Sequence, residues 1–392
     1  MQTVAVFFGG QSTEHDVSII TALTSIIKPL ELTRKYHVVP VYIAKDGQWY
    51  VSDKLKQVAL YQGNGLRDLV AQVKPTGVVM GNGMKLLVPT RIGGRKVISV
   101  DIAFPAMHGT HGEDGELMGV FELCGVPYVG CGVAASAVAM DKVLAKQVAK
   151  AAGIVVPKDV WFYRDAVVSD PKLAQAQCKD LRYPLFVKPA HLGSSIGISR
   201  VESAKDLQNA LEVAAHYDDK IIIEEGVQNL VEVTLPIMGN ENPEPALLEQ
   251  PLLHAEDFFD FETKYMQSGK KGGKAGQKVS GKGSMGAQGY SRVPADLPKP
   301  LAAQAVKLGL AVYRVLGCSG IARVDMLVDT KAKKVYFNEI NPLPGSLYAH
   351  NWAQAGVSRV ALVEKLIGYA LERHMRRAKL ATSFDTNFLK QF

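Results

Sequence analysis

Apolar positions along the chain follow two periods. The run Thr3-Val4-Ala5-Val6-Phe7-Phe8 is almost continuously apolar, the pattern of a strand buried on both faces. Gly9-Gly10 then breaks it, and helical spacing takes over from Thr13 to Leu30. His37 to Ile43 and Ile102 to Met107 give two further strands, the second running into the loop His108-Gly109-Thr110-His111-Gly112-Glu113-Asp114-Gly115. Strand, glycine turn and helix in that order predict a doubly wound parallel-sheet domain, with ligands at the carboxyl ends of the strands. Residues 45–100 contain short strand-like pieces and turn glycines that the pattern does not assemble into elements. A one-sided helix is predicted from Ala134 to Ala152, stopped by Gly153. Tyr183 to Pro189 reads as a strand that turns through Gly193-Ser194-Ser195-Ile196-Gly197 and returns to Val201. From Lys220 onward strands dominate, interrupted by a loop from Met266 to Arg292 and a helix from Pro298 to Leu316; an amphipathic helix from Ser358 to Arg377 follows.

At 392 residues, two or three domains are expected, and the pattern places them at 1–132, 133–221 and 222–392. The composition, 47% hydrophobic and 21% charged, is that of a globular protein, and no apolar run approaches the ~18 residues of a membrane helix. Val4 to Phe8 lies too near the start to be a signal-peptide core, so the expected setting is the cytoplasm, without a membrane partner. Cys124, Cys131, Cys178 and Cys318 lack metal-ligand spacing and read as reduced thiols. The formal charge of +7 is partly local: Lys270, Lys271, Lys274, Lys278 and Lys282 share one stretch free of acidic residues. Interleaved glycines, rather than aromatics, argue against a nucleic-acid partner and for anionic phosphate ligands.

The densest chemistry is Arg323-x-Asp325 on one strand and Glu339-x-Asn341 on the next, after a turn at Asp329-Thr330-Lys331. Alternation puts a guanidinium, two carboxylates and an amide on one sheet face, a set suited to magnesium carrying nucleotide phosphates. A solvated hairpin with two ion pairs is the alternative. Lys188, at a strand end before the Gly/Ser-rich turn, suits a phosphate, or is incidental to a hairpin. Lys142 adds a second cation, although Lys142, Lys146 and Lys150 have the spacing of a solvated helix face. Backbone groups of Glu224-Glu225-Gly226-Val227, before the strand begun by Glu232, could pair with an adenine edge while a carboxylate accepts ribose hydroxyls; acidic residues here equally suit strand-edge protection. His108 and Glu113, and Glu14 and His15, occupy loops where this fold takes substrate, but a histidine near a helix start is more often structural.

Phe8-Gly9-Gly10 with Glu14-His15-Asp16-Val17-Ser18, the His108 to Gly115 run, Met140-Asp141-Lys142, Val187-Lys188-Pro189, Gly193 to Gly197, Lys264-Tyr265, Ala322-Arg323-Val324-Asp325 and Asn338-Glu339-Ile340-Asn341 together resemble the D-alanine–D-alanine ligase family of the ATP-grasp superfamily. Order and spacing agree over nearly the whole chain. The resemblance implies a mixed α/β and α+β ATP-grasp fold, in which a doubly wound parallel-sheet domain precedes two antiparallel-sheet domains clasping ATP. It implies ATP-dependent joining of two D-alanines through an acyl phosphate, for peptidoglycan precursor synthesis.

Position by position, it assigns Lys142 and Lys188 to the α- and β-phosphates, with Ser195 in the same nucleotide loop, and Lys264 to the γ-phosphate. Glu224, Glu225 and Val227 would line adenine and Glu232 would bind ribose. Asp325, Glu339 and Asn341 would ligate two magnesium ions, with manganese as substitute, and Arg323 and the Gly345 amide would face the oxyanion. Glu14, with Ser194 and Tyr265, would anchor the first D-alanine, with His108 and Glu113 nearby; Ser346 and Leu347 would hold the second substrate. The Ser194 loop and the segment after Lys264 would act as lids. A homodimer formed through the N-terminal domain is also implied.

Two departures stand out. Asn341-Pro342-Leu343-Pro344-Gly345-Ser346-Leu347 replaces the family's Asn-Thr-x-Pro-Gly and later Ser-Leu, and Gln267 to Tyr290 is longer and richer in Gly and Lys than the usual connector. The first leaves open a ligase with a different D-amino-acid or D-hydroxy-acid acceptor, although the Lys264-Tyr265 pair favours an amine. A catalytically inactive nucleotide-binding regulator is a rival from another class; retention of Arg323, Asp325, Glu339 and Asn341 argues against it.

Overall fold

The computed structural model describes residues 1–90, 92–252, 284–286, 289–381 and 388–391. Lys264, Tyr265 and most of the basic loop lie outside them. The apolar opening run forms the strand Gln2–Gly9, paired in parallel with Tyr36–Ile43 on one side and Ile102–Pro105 on the other, with Trp49–Val51 antiparallel at the edge. Both faces of this sheet are covered. Val4, Val6 and Phe8 pack with Ile26 and Leu30, and Ala5 and Phe7 pack with Leu117 and Phe121. Gly9 has φ +93°, and a Cβ there would come within 2.3 Å of the Ile43 carbonyl oxygen, so this turn requires glycine. The unassigned stretch 45–100 contributes a three-stranded antiparallel sheet, Gly77–Gly81, Gly83–Pro89 and Arg95–Val100, against the same core.

The predicted helix after Gly10 is present, but its middle, Thr21–Ile27, is a π-helix between α-helical segments His15–Ile20 and Lys28–Thr33. The predicted Ala134 to Ala152 helix is two helices, Val133–Met140 and Lys142–Ala151. Asp141 leaves helical geometry, and its carboxylate accepts the backbone N–H groups of Val143 and Leu144, a capping signal that outweighs the continuous apolar pattern.

Two four-stranded antiparallel sheets form most of the rest, beside a small sheet of Gln250–Pro251, Gly289–Arg292 and Ser284–Gly286. The central one orders Ser199–Val201, Leu185–Pro189, Lys220–Glu225 and Asp159–Tyr163, backed by the helix Leu207–Tyr217. An expected boundary at 221/222 would fall inside the Lys220–Glu225 strand, all of which belongs to this sheet. The other orders Glu244–Pro245, Leu230–Gly239, Gly320–Asp329 and Lys334–Asn341, backed by Lys299–Val315. The helices Ala349–Gln354 and Arg359–Arg377 return to the first domain, where Trp352, Leu362 and Leu366 join the core around Val4 and Ile26. Among the described residues no helix is long and apolar enough to cross a membrane.

Candidate active site

A cavity of about 380 Å³ lies between the central and C-terminal sheets and is also lined by Glu14, Val17, His108 and Glu113 of the first domain. Its C-terminal wall follows from strand alternation. Ala322, Val324 and Met326 face the core, while Arg323, Asp325 and Leu327 face the cavity. In the neighbouring strands Thr234 lies opposite Asp325 and Glu232 opposite Leu327, with Asn341 opposite Arg323 and Glu339 opposite Asp325. The register shifts after Asp325, so that Met326 pairs with Phe337 and Asn338 has no opposite residue. This bulge places Asn338 and Glu339, neighbours in sequence, both at the cavity.

The four residues singled out on this hairpin do converge. Arg323 donates to Asp325 through Nε at 2.8 Å and a terminal nitrogen at 2.5 Å, and Asn341 Nδ2 donates to the same carboxylate at 3.1 Å. Burial pushes the Asp325 carboxyl up, only partly offset by Arg323. A divalent cation would offset it further, and the set is all hard oxygen donors, so Asp325, Glu339 and Asn341 fit magnesium. Burial also works against charge on Glu339, but Lys142, Lys188 and Arg323 more than offset it and hold the carboxyl down. The Arg323 guanidinium stacks 5.1 Å above the centre of the Tyr348 ring.

The opposite wall supplies cations. Lys142 Nζ donates to the Leu192 carbonyl at 2.6 Å and lies 3.2 Å from Glu339 Oε2. Lys188 Nζ donates to Glu224 Oε2 at 2.6 Å and to Asn338 Oδ1 at 3.3 Å. Lys146, expected on a solvated face, is instead 1% exposed, with Nζ 2.9 Å from Glu224 Oε1. Lys150, the third of the stripe, pairs with Asp159 at 2.6 Å. Glu224 is therefore held by two ammonium groups; burial alone would raise its pKa, but Lys146 and Lys188 bring it down to about 2. Glu225 pairs with Arg182, and Glu225, Gly226 and Val227 line the cavity with Glu232 and Phe186.

The turn after the Lys188 strand carries Ser194 and Ser195, both at positive φ (54° and 60°) and both at the cavity. The Ser194 hydroxyl donates to the Glu14 carboxylate, joining this turn to the first domain across 180 residues of sequence. The base of the turn is pinned by His191, 2.9 Å from Asp218 and 3.4 Å from Asp141; these hydrogen bonds lift its pKa to about 9.

His108 and Glu113 both line the cavity. Burial lowers the His108 pKa, and its Nε2 is 2.9 Å from Thr21 Oγ1, which also accepts the Ser346 backbone N–H at 3.0 Å. Burial, with Glu14 nearby, pushes Glu113 up to about 8, although it accepts the Gly109 N–H at 3.0 Å. His15 hydrogen-bonds the Gly10 carbonyl and the Tyr42 hydroxyl, as a structural histidine does. Gly345 and Ser346 border the cavity, but Leu347 does not: it is fully buried in the first-domain core. Ser346, Leu347 and Tyr348 all have positive φ (51°, 53° and 49°), a left-handed turn that swings Leu347 inward.

Thr21, Lys146, Asn338 and Tyr348 are site residues that sequence reasoning did not select. Only Lys146 carried a readable signal, its one-turn offset from Lys142; the others depend on the π-turn, the bulge and the left-handed turn.

Two antiparallel sheets closing on a cavity lined by Lys188 and by carboxylates define a protein of the ATP-grasp class. Residues 3–131 match the family model described as D-ala D-ala ligase N-terminus, and residues 148–368 the one described as D-ala D-ala ligase C-terminus. The chain belongs to the D-alanine–D-alanine ligase family, whose members use ATP and a divalent metal. It is 38% identical over 386 residues to the D-alanine–D-alanine ligase of Chlorobaculum tepidum (95% of this chain, 97% of the relative) and 36% identical over 386 residues to that of Acetivibrio thermocellus (95% and 96%). Among solved structures it resembles the D-alanine–D-alanine ligase of Coxiella burnetii (TM-score 0.77, 29% identity, 96% of each chain) and the VanG D-Ala:D-Ser ligase of Enterococcus faecalis (TM-score 0.74, 30% identity, 94% of this chain, 99% of that one).

Proposed function

We propose that this protein joins two D-alanine molecules at the expense of ATP, making the dipeptide used in cell-wall precursor synthesis. The observation that carries the reading is one cavity lined by the carboxylates Asp325 and Glu339 and the Lys188 ammonium, with Lys142 paired to Glu339 behind its wall and Glu14 also on the lining. Lys142 and Lys188 neutralise the α- and β-phosphates, and Lys264, outside the described residues, is assigned to the γ-phosphate by the family pattern. Glu225 and Val227 border adenine and Glu232 the ribose. Asp325, Glu339 and Asn341 would hold magnesium, two ions by the family pattern, which would neutralise phosphate charge.

Glu14, oriented by Ser194 and, by the family pattern, Tyr265, takes the ammonium of the first D-alanine. A carboxylate oxygen of that substrate attacks the γ-phosphorus and ADP leaves, giving an acyl phosphate. The neutral amine of the second D-alanine attacks the acyl carbon, the developing oxyanion faces Arg323 and the Gly345 amide, and phosphate departs with its bridging oxygen. Closure of the cavity matters because water would otherwise intercept the acyl phosphate. The setting proposed is the cytoplasm and the assembly a homodimer.

A second reading concerns the acceptor alone. The unusual Pro342 to Leu347 turn and the likeness to a D-Ala:D-Ser ligase favour testing D-serine and D-lactate beside D-alanine. The experiment is ADP formation by the purified protein with each acceptor, products identified by mass spectrometry. Dipeptide from D-alanine is the expected result; D-alanyl-D-serine as the main product would move the assignment to the second reading. ATP turnover indifferent to every D-amino acid would reject both.

A further inference from the structure

We infer that Lys146, which does not border the cavity, sets the charge that the cavity presents to nucleotide phosphates. It stands one turn after Lys142 on the Lys142–Ala151 helix, and its Nζ is 2.9 Å from Glu224 Oε1. The other carboxylate oxygen of Glu224 takes the Lys188 ammonium at 2.6 Å, and only Lys188 and Glu224 of the three line the cavity. The trio is sealed, with side-chain exposures of 1% for Lys146, 2% for Glu224 and 10% for Lys188. The Phe337 ring lies 5.8 Å from the Lys146 Nζ, and Asp159, the remaining carboxylate acting on Lys146, is occupied by Lys150.

One carboxylate between two ammonium groups leaves a net charge of +1 at the cavity wall. Without Lys146, Glu224 and Lys188 would cancel, and the strand would offer phosphate a neutral pair. A buried ion trio is a poor way to gain stability, since an apolar set of the same volume serves as well or better. The arrangement makes sense as a means of keeping Lys188 aimed by its bond to Glu224 without that carboxylate cancelling its charge. Lys146 is thus a positioning residue acting through Glu224, a role distinct from contact with adenine.

The inference rests on the nucleotide reading of the cavity, so the test measures binding with no amino acid present. ADP and adenosine affinities are compared by calorimetry and competition for the intact protein, Lys146→Met, Glu224→Gln and the double variant. Lys146→Met should weaken ADP by roughly tenfold or more while leaving adenosine within about twofold, because only the phosphates feel the lost charge. In the Glu224→Gln background the same change should cost less than about threefold, since Lys146, buried and without the Glu224 carboxylate that favours its charged form, carries less charge to lose there. Equal losses for ADP and adenosine would make Lys146 a packing residue and overturn the inference, as would an unchanged ADP affinity or equal costs in both backgrounds. Should Lys146→Met not fold, Lys146→Gln is held to the same outcomes. Failure of the unaltered protein to bind ADP would instead refute the nucleotide reading itself.

Discussion

Arg323 is held on two sides, by Asp325 along its edge and Tyr348 beneath its plane, and among the described residues no hydrogen-bond acceptor takes its second terminal nitrogen. A group fixed in that way, beside the carboxylates that fit magnesium, is suited to meet charge that develops only during reaction. Arg323→Ala should therefore lower turnover by roughly 10²-fold while ATP affinity stays within a few-fold, and Arg323→Lys should not restore it, because an ammonium lacks the planar fork. Steady-state kinetics with direct ATP binding would check this; near-normal turnover in Arg323→Ala would refute the role. Glu113 offers a pH prediction. Its pKa is raised in the folded protein from an ordinary 4.5 to about 8, so the native state binds the extra proton between those values. Stability from this group is complete below about pH 4.5 and is lost as pH rises through about 8. Glu113→Gln, fixed in the neutral form, should flatten the decline in melting temperature across that window; an unchanged slope would contradict the buried neutral carboxyl.

At the scale of elements, what was legible was periodic. The opening strand, the long helices and the hairpin bearing Arg323 and Asn341 follow from alternation or helical spacing, and each is present within a few residues of its expected ends. The misses are local departures from period. Asp141 splits a pattern that reads as one helix, and Asn338 adds a residue to a strand that reads as regular. Leu347, expected at the substrate, points into the core because three successive left-handed residues reverse the turn. The Lys142 stripe misled because amphipathic spacing reports which side chains share a face, not what covers that face. Asp141 does three jobs: it caps the Lys142–Ala151 helix, takes the Lys220 ammonium at 2.6 Å and lies 3.4 Å from His191 at the base of the Ser194 turn. Asp141→Ala should cost more than the ~1 kcal/mol of a lost cap, roughly 2–4 kcal/mol, because Lys220 stays buried without its partner. Chemical denaturation would measure it, and a loss below about 0.5 kcal/mol would show that the cap and pair contribute little.

On the scale of the whole molecule, the parts are bound by contacts remote in sequence. Arg373, on the last helix, donates to the Tyr128 carbonyl at 2.8 Å and the Ser319 hydroxyl at 2.6 Å, and its guanidinium lies 4.2 Å from the Tyr128 ring centre. Trp352 is 2% exposed in the core shared by the first strand and the C-terminal helices. Trp352→Ala should cost about 3–5 kcal/mol and loosen both regions together, readable as hydrogen exchange rising in Gln2–Gly9 and Arg359–Arg377 alike. Exchange rising in one region only would mean that the shared core does not couple them. These long-range contacts were the least legible part of the chain, since no period in a single sequence encodes which distant faces meet. The site motifs were legible because the chemistry of phosphate and carboxylate needs particular side chains at strand ends, whatever joins them.

In the proposed reaction a carboxylate of the first substrate becomes an acyl phosphate inside the cavity between the two sheets. Turnover with D-alanine labelled by oxygen-18 in its carboxylate tests it most directly. Each released inorganic phosphate should carry one labelled oxygen, since the oxygen that attacked phosphorus leaves with it. Unlabelled phosphate released together with dipeptide would contradict it.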